Sequence, residues 1–172
     1  MTGQINVNKI AARTGNTITI ESGDKISGAA SSIIAPGMVI QTVQFRSTTY
    51  QATTSTSFVN YTPTNATITP SSTSSKVLVL SSHNTETYQN NDYDCQGRFV
   101  IYRGGSAVSE ENYIRHYDYG GTGHLGVTNS VINFLDSPSS TSSVSYQLYM
   151  KKVSGDGTAI ISGSITLMEI AQ

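Results

Sequence analysis

Tryptophan is absent from this 172-residue chain, cysteine occurs once, proline four times, and charged residues make up only 12%. Each scarcity excludes something. The lone Cys95 can form neither an intrachain disulfide nor a cysteine-rich zinc site, so it reads as a small buried hydrophobe and stability must come from packing. A formal net charge of -1 leaves no electrostatic footprint for nucleic acid or for an anionic membrane, and neither is an expected partner. No apolar run approaches the roughly twenty residues of a membrane span. The start, Met1-Thr-Gly-Gln-Ile5, lacks the basic and then apolar layout of a signal peptide, so the expectation is a protein kept in the cytosol that makes it or released by lysis.

Hydroxyls stand where charge is missing: Ser and Thr supply roughly a quarter of the chain, well above ordinary usage. Helical signals are as scarce as charges. No window of twelve residues repeats apolar positions at i, i+3, i+4 and i+7, and β-branched residues are dense, which makes the fold all-β. Val144-Ser-Tyr-Gln-Leu-Tyr-Met150 alternates, with Val144, Tyr146, Leu148 and Met150 on one face and Ser145, Gln147 and Tyr149 on the other. Lys76 to Leu80, Gly126 to Leu135 and Ile165 to Ile170 are apolar on both faces, which is excess apolar surface for a monomer and points to an oligomer. Gly104-Gly105 supplies the positive φ angles of a tight hairpin. Further turns fall at Pro70 to Ser75, Asp136 to Ser140 and Ser154 to Gly157. About eight strands follow Met38, a number suited to an antiparallel jelly-roll sandwich of two sheets.

Residues 1–35 differ from the rest. Short β-like pieces, Gln4 to Ile10, Asn16 to Ile20 and Asp24 to Ser27, are divided by Thr14-Gly15 and Ser22-Gly23. Pieces this short bury no core alone, and without Cys or His they have no metal or disulfide to lean on. An N-terminal stem intertwined with copies of itself is the expected solution. Ala35-Pro36-Gly37 then marks the boundary to a head domain, 36–172.

No catalytic constellation emerges, and a non-enzyme without cofactor or metal is expected. His83, His116 and His124 show no metal-binding spacing, and Gly120-Gly-Thr-Gly-His-Leu-Gly126 lacks both the Lys-Ser/Thr ending and the following helix of a phosphate loop. Asp92 and Asp94 offer oxygens for Ca²⁺ but match no further position of an EF-hand. Glu110-Glu111 reads as a solvated hairpin edge. The tyrosines are more informative. Tyr88, Tyr93, Tyr102, Tyr113, Tyr117 and Tyr119 crowd the middle third, among Asn91, Asp92, Arg115 and His116. Stiff apolar rings with polar neighbours suit a recognition surface for a glycan or protein, and equally a subunit interface. The candidate receptor-binding set is Tyr88, Asn91, Asp92, Tyr93, Tyr113, His116, Tyr117 and Tyr119.

The stretch from Asn6-Val-Asn-Lys-Ile10 to Ile18-Thr-Ile-Glu-Ser-Gly-Asp-Lys-Ile26, followed by Ile34-Ala-Pro-Gly-Met38, resembles a module of virion proteins from marine, cyanophage-like bacteriophages. Ser71-Ser-Thr-Ser-Ser-Lys-Val-Leu-Val79, Phe99-Val-Ile-Tyr-Arg-Gly-Gly105, Asn133-Phe-Leu-Asp-Ser-Pro138 and Ile165-Thr-Leu-Met-Glu-Ile170 resemble the globular part of the same proteins. The resemblance implies a phage virion structural protein, assembled in the cytoplasm of a host bacterium. It further implies a homotrimer with a β stem and a jelly-roll head, used as a tail fibre or spike in host attachment. The stem would contact other virion proteins and the head a host-surface glycan or protein. The alternative is a capsid decoration or head-to-tail collar protein that stabilises the particle.

Overall fold

Dense β-branched and aromatic residues, interrupted every ten or so positions by Gly, Pro and Ser clusters, leave the backbone little but strands and turns to form. The computed structural model describes Ser22 and residues 34–89, 94–117 and 124–172, and among these there is no helix. Ten strands follow one another: β1 (Val39–Ser47), β2 (Gln51–Thr53), β3 (Val59–Ile68), β4 (Lys76–Gln89), β5 (Asp94–Arg103), β6 (Ser106–Ala107), β7 (Asn112–Tyr117), β8 (His124–Asp136), β9 (Val144–Ser154) and β10 (Gly157–Ile170). Contacts divide the chain into Met1–Ile33 and Ile34–Gln172. The stem expected over 1–35 therefore lies, Ser22, Ile34 and Ala35 apart, outside the described residues.

Two antiparallel sheets pack as a sandwich. The first has the order β1-β10-β4-β8, with β2 also paired to β10; the second has the order β3-β9-β5, with β6 and β7 both paired to β5. Turn chemistry sets the connections. Gly104 and Gly105 have φ of 59° and 84° between β5 and β6, and Gly155, at φ 77°, turns β9 into β10. Only glycine enters these angles without strain. Pro63 lies inside β3, where the register against β9 breaks between Asn60 and Asn65. A residue without an N–H is accommodated at such a break.

The expected alternation of β9 is present: Tyr146, Leu148 and Met150 point inward and are fully buried. They meet Tyr61, Ile68, Phe99 and Ile101 from their own sheet and Val77, Val79, Ile132, Ile165 and Leu167 from the first. Each such side chain contributes about 1.5–3 kcal/mol by leaving water. Beyond Val79 the inward positions of β4 become polar: Ser81, His83, Thr85 and Thr87 are all buried. The hydroxyls are satisfied locally, Thr85 Oγ1 donating to the Thr128 carbonyl at 3.1 Å and Thr158 Oγ1 to that of Glu86 at 3.0 Å. His83 packs its ring 5.2 Å from that of Phe99, and its Nε2 has no hydrogen-bond partner. Burial lowers its pKa to about 4, so the ring is neutral.

One carboxylate is wholly enclosed. Glu169 receives hydrogen bonds from the Ser71 amide at 2.7 Å, the Ser71 hydroxyl at 2.6 Å and Gln41 Nε2 at 2.6 Å. Burial pushes this carboxyl up, but the hydrogen bonds from Ser71 and Gln41 outweigh it and hold the group below its ordinary value. Cys95 is buried as expected, with its thiol pushed up by burial.

Candidate recognition surface

Alternation along β7 assigns each residue to a side. Ile114 turns inward and is 6% exposed, while Tyr113 and Tyr117 face outward at 44% and 54%. Arg115, between them, shares the outward face. Antiparallel pairing with β5 sets Arg98 opposite Tyr113, Gln96 opposite Arg115 and Asp94 opposite Tyr117. The outcome is an interlocked ladder. The Arg98 guanidinium lies 5.6 Å from the Tyr113 ring centre and that of Arg115 lies 5.7 Å from Tyr117. Arg115 Nε donates to Asp94 at 2.7 Å, and Arg98 Nη1 to Glu111 at 2.6 Å.

The ladder continues onto β9. Lys151 Nζ sits 3.7 Å from the other Glu111 oxygen and 4.1 Å above the ring of Phe58, which precedes β3. Phe58 in turn lies 6.2 Å from Tyr102, and Tyr102 stacks on Tyr149 at 4.0 Å. The hydrogen bond from Arg98 is the main reason that the Glu111 carboxyl is held below its ordinary value. Exposed ion pairs contribute about 0–1 kcal/mol and exposed cation–π contacts about 0.5–1. This face therefore does little for stability, and its rings and guanidinium groups are held in place by one another.

The residues expected to form one receptor-binding cluster are distributed over three places. Tyr113 and Tyr117 share the outer face of the second sheet. His116, between them in sequence, points the other way: its Nδ1 shares a 2.7 Å hydrogen bond with Thr87 Oγ1, and its ring fills the space a Cβ at Gly126 would occupy. Tyr88 belongs to the outward set of β4 in the first sheet, with its ring lying over Gly157. Asn91, Asp92, Tyr93 and Tyr119 lie outside the described residues. Phe58, Arg98, Lys151 and Tyr149 belong to the surface but not to the expected set. The i, i+2, i+4 spacing of Tyr113, Arg115 and Tyr117 is the one sequence signal that separates them from His116.

No family model matches the sequence, and no curated protein matches it. The outer face of the first sheet differs in kind from the ladder. Leu125, Val127, Val131 and Leu135 of β8 are exposed at 61%, 54%, 50% and 56%. Register places Leu78 and Leu80 of β4 beside Leu135 and Asn133, and Met168 of β10 beside Leu78. Between the apolar ends runs a polar band in which Asn129 Nδ2 donates to Asn84 at 3.1 Å and Asn84 Nδ2 donates to Ser162 at 3.1 Å, with Arg46 of β1 beside them. Among the described residues no group of three or more His, Cys, Asp and Glu could hold a metal ion.

Proposed function

We propose that the protein is a non-enzymatic virion structural protein, a trimeric fibre- or spike-type appendage whose head binds the host surface. The observation that carries this reading is the contrast between the two outer faces: a ladder of rings and cations on the second sheet, and on the first an exposed apolar β8 edge beside a polar middle that includes Arg46. The first suits self-association and the second recognition. The strand order favours a jelly-roll head. With β2 and β6 set aside, the eight remaining strands take the orders first, last, third, sixth and second, seventh, fourth, fifth, which is the winding of two Greek keys.

A second copy of this chain is the occupant we assign to the apolar face. Three strands of 13 or 14 residues and one of nine, at about 3.4 Å per residue and about 4.8 Å apart, give the outer face as a whole, polar band included, an area of roughly 800 Å². That is about what one partner contributes to a stable protein interface. Residues 1–35 would serve as the stem that reaches other virion proteins. Three heads on one particle feature would raise avidity far above that of one weak site.

Stoichiometry in purified particles tests the reading. Quantitative mass spectrometry against the major capsid protein should find a few dozen copies or fewer. A ratio near one per capsid subunit would replace the appendage with a decoration protein.

A further inference from the structure

We infer that the groove beside the ladder binds an acidic polysaccharide, through carboxylate or sulfate groups presented on sugar rings; this rests on the attachment reading above and names the ligand class. The groove, about 320 Å³, is lined by Thr56, Arg98, Lys151, Lys152 and Val153. Three of the seven lysines and arginines among the described residues thus converge there, in a chain whose formal net charge is -1. No acid lines it. Glu111 touches Arg98 and Lys151 from one side, at 2.6 and 3.7 Å.

The convergence is built by the backbone. A regular strand sends successive side chains to opposite faces, so Lys151 and Lys152 ought to part. Between Gln96 and Gly97 the β5–β9 register shifts, with Gln96 opposite Ser154 and Gly97 opposite Lys152. The extra residue is Val153, immediately after Lys152; such an irregularity bends the strand locally, and Lys151, Lys152 and Val153 all line the groove. The facing wall is fixed as well: Lys152 N–H donates to the Ser55 carbonyl at 2.8 Å, tying the β2–β3 turn that carries Thr56 to β9.

Chemistry selects the ligand. Excess positive charge in one groove concentrates anions, and a guanidinium is suited to paired bonds with a carboxylate or sulfate. The adjoining rings of Phe58, Tyr102 and Tyr149 offer apolar faces against which the C–H face of a pyranose can pack. A chain of acidic sugars satisfies both, and a neutral glycan satisfies only the rings.

Alginate oligosaccharides, neutral dextran and single-stranded DNA of equal charge are the probes, titrated into the full chain by calorimetry at low and at physiological salt. Alginate should bind, dextran should not, and salt should weaken the binding because the groove is open to screening. Lys152→Gln and Lys151→Met should each weaken alginate binding about tenfold, the value of a lost charge-assisted contact. Glu111→Gln should tighten it severalfold, an effect that a purely structural Glu111 would not produce. Absence of alginate binding, indifference to the lysine variants, or DNA binding as tight as alginate would each overturn the inference. Should purified protein still compete with phage adsorption to host cells when alginate does not bind, the ligand class falls and the attachment reading stands.

Discussion

Lowering the pH from 7 to 5 should destabilise the protein through His83. The unfolded side chain titrates near 6.5 and the buried one at about 4. Between these values the unfolded chain binds the extra proton, so stability is present at neutral pH and declines as pH falls through the window. Integrating between the two titration curves gives a loss of about 2 kcal/mol between pH 7 and pH 5, approaching about 3 kcal/mol below pH 4. For a chain of this size that is a fall in Tm of roughly 4–8 °C by pH 5. Thermal melts of the wild type and of His83→Leu, each at pH 7 and pH 5, isolate the effect, because carboxylates remain largely ionised throughout. The wild type should lose the stated amount and the variant should be nearly flat. Equal losses would refute the argument, as would an NMR titration of the His83 ring with a midpoint near 6.5.

Three further outcomes follow from the same packing. If the proposed trimer forms, light scattering should find an assembly of about 55 kDa, three chains of 18.4 kDa, and Val131→Asp, on an apolar surface position of β8, should convert it to monomer while leaving the melt within about 0.5 kcal/mol of wild type. Gly126→Ala should cost about 1–3 kcal/mol in urea unfolding, since its Cβ would lie 2.0 Å from the His116 ring; in a His116→Ala background the cost should largely vanish, as a double-mutant cycle would show. Glu169→Gln should cost about 2–4 kcal/mol. Because the native carboxyl is held below its ordinary value, the stability it adds is complete above about pH 4.5 and is lost as pH falls through the folded pKa. The variant should therefore lose less than wild type between pH 5 and pH 2.

The local features of the fold were legible and the pairing of distant strands was not. Val144 to Met150 alternates in sequence as it does in space, and the Gly104-Gly105 hairpin follows from backbone permissiveness alone. β3 was hidden, because Pro63 and a run of threonines conceal a strand that tolerates proline at a break in its register. Tyr88 and Tyr113 belong to the same tyrosine-rich third of the sequence. The chain passes from the first sheet to the second between β4 and β5, which puts these tyrosines on opposite outer surfaces. Lys151 and Lys152 give no such signal: alternation assigns successive residues of a strand to opposite faces, and the groove that both line exists only in the folded chain.

The position of β10 also bears on how the head is made. It is the last strand of the sandwich in chain order, yet β1, β2 and β4 all pair with it. A ribosome working at about 5–20 residues per second takes on the order of ten seconds to pass from Val39 to Ile170. For that interval β1 and β4 have no shared partner, and the edges of a nascent first sheet stay open beside others on the same message. Low charge gives little repulsion to keep them apart, so the hydroxyl-rich turns and the polar inward half of β4 become a means of staying dissolved while the final strand is awaited.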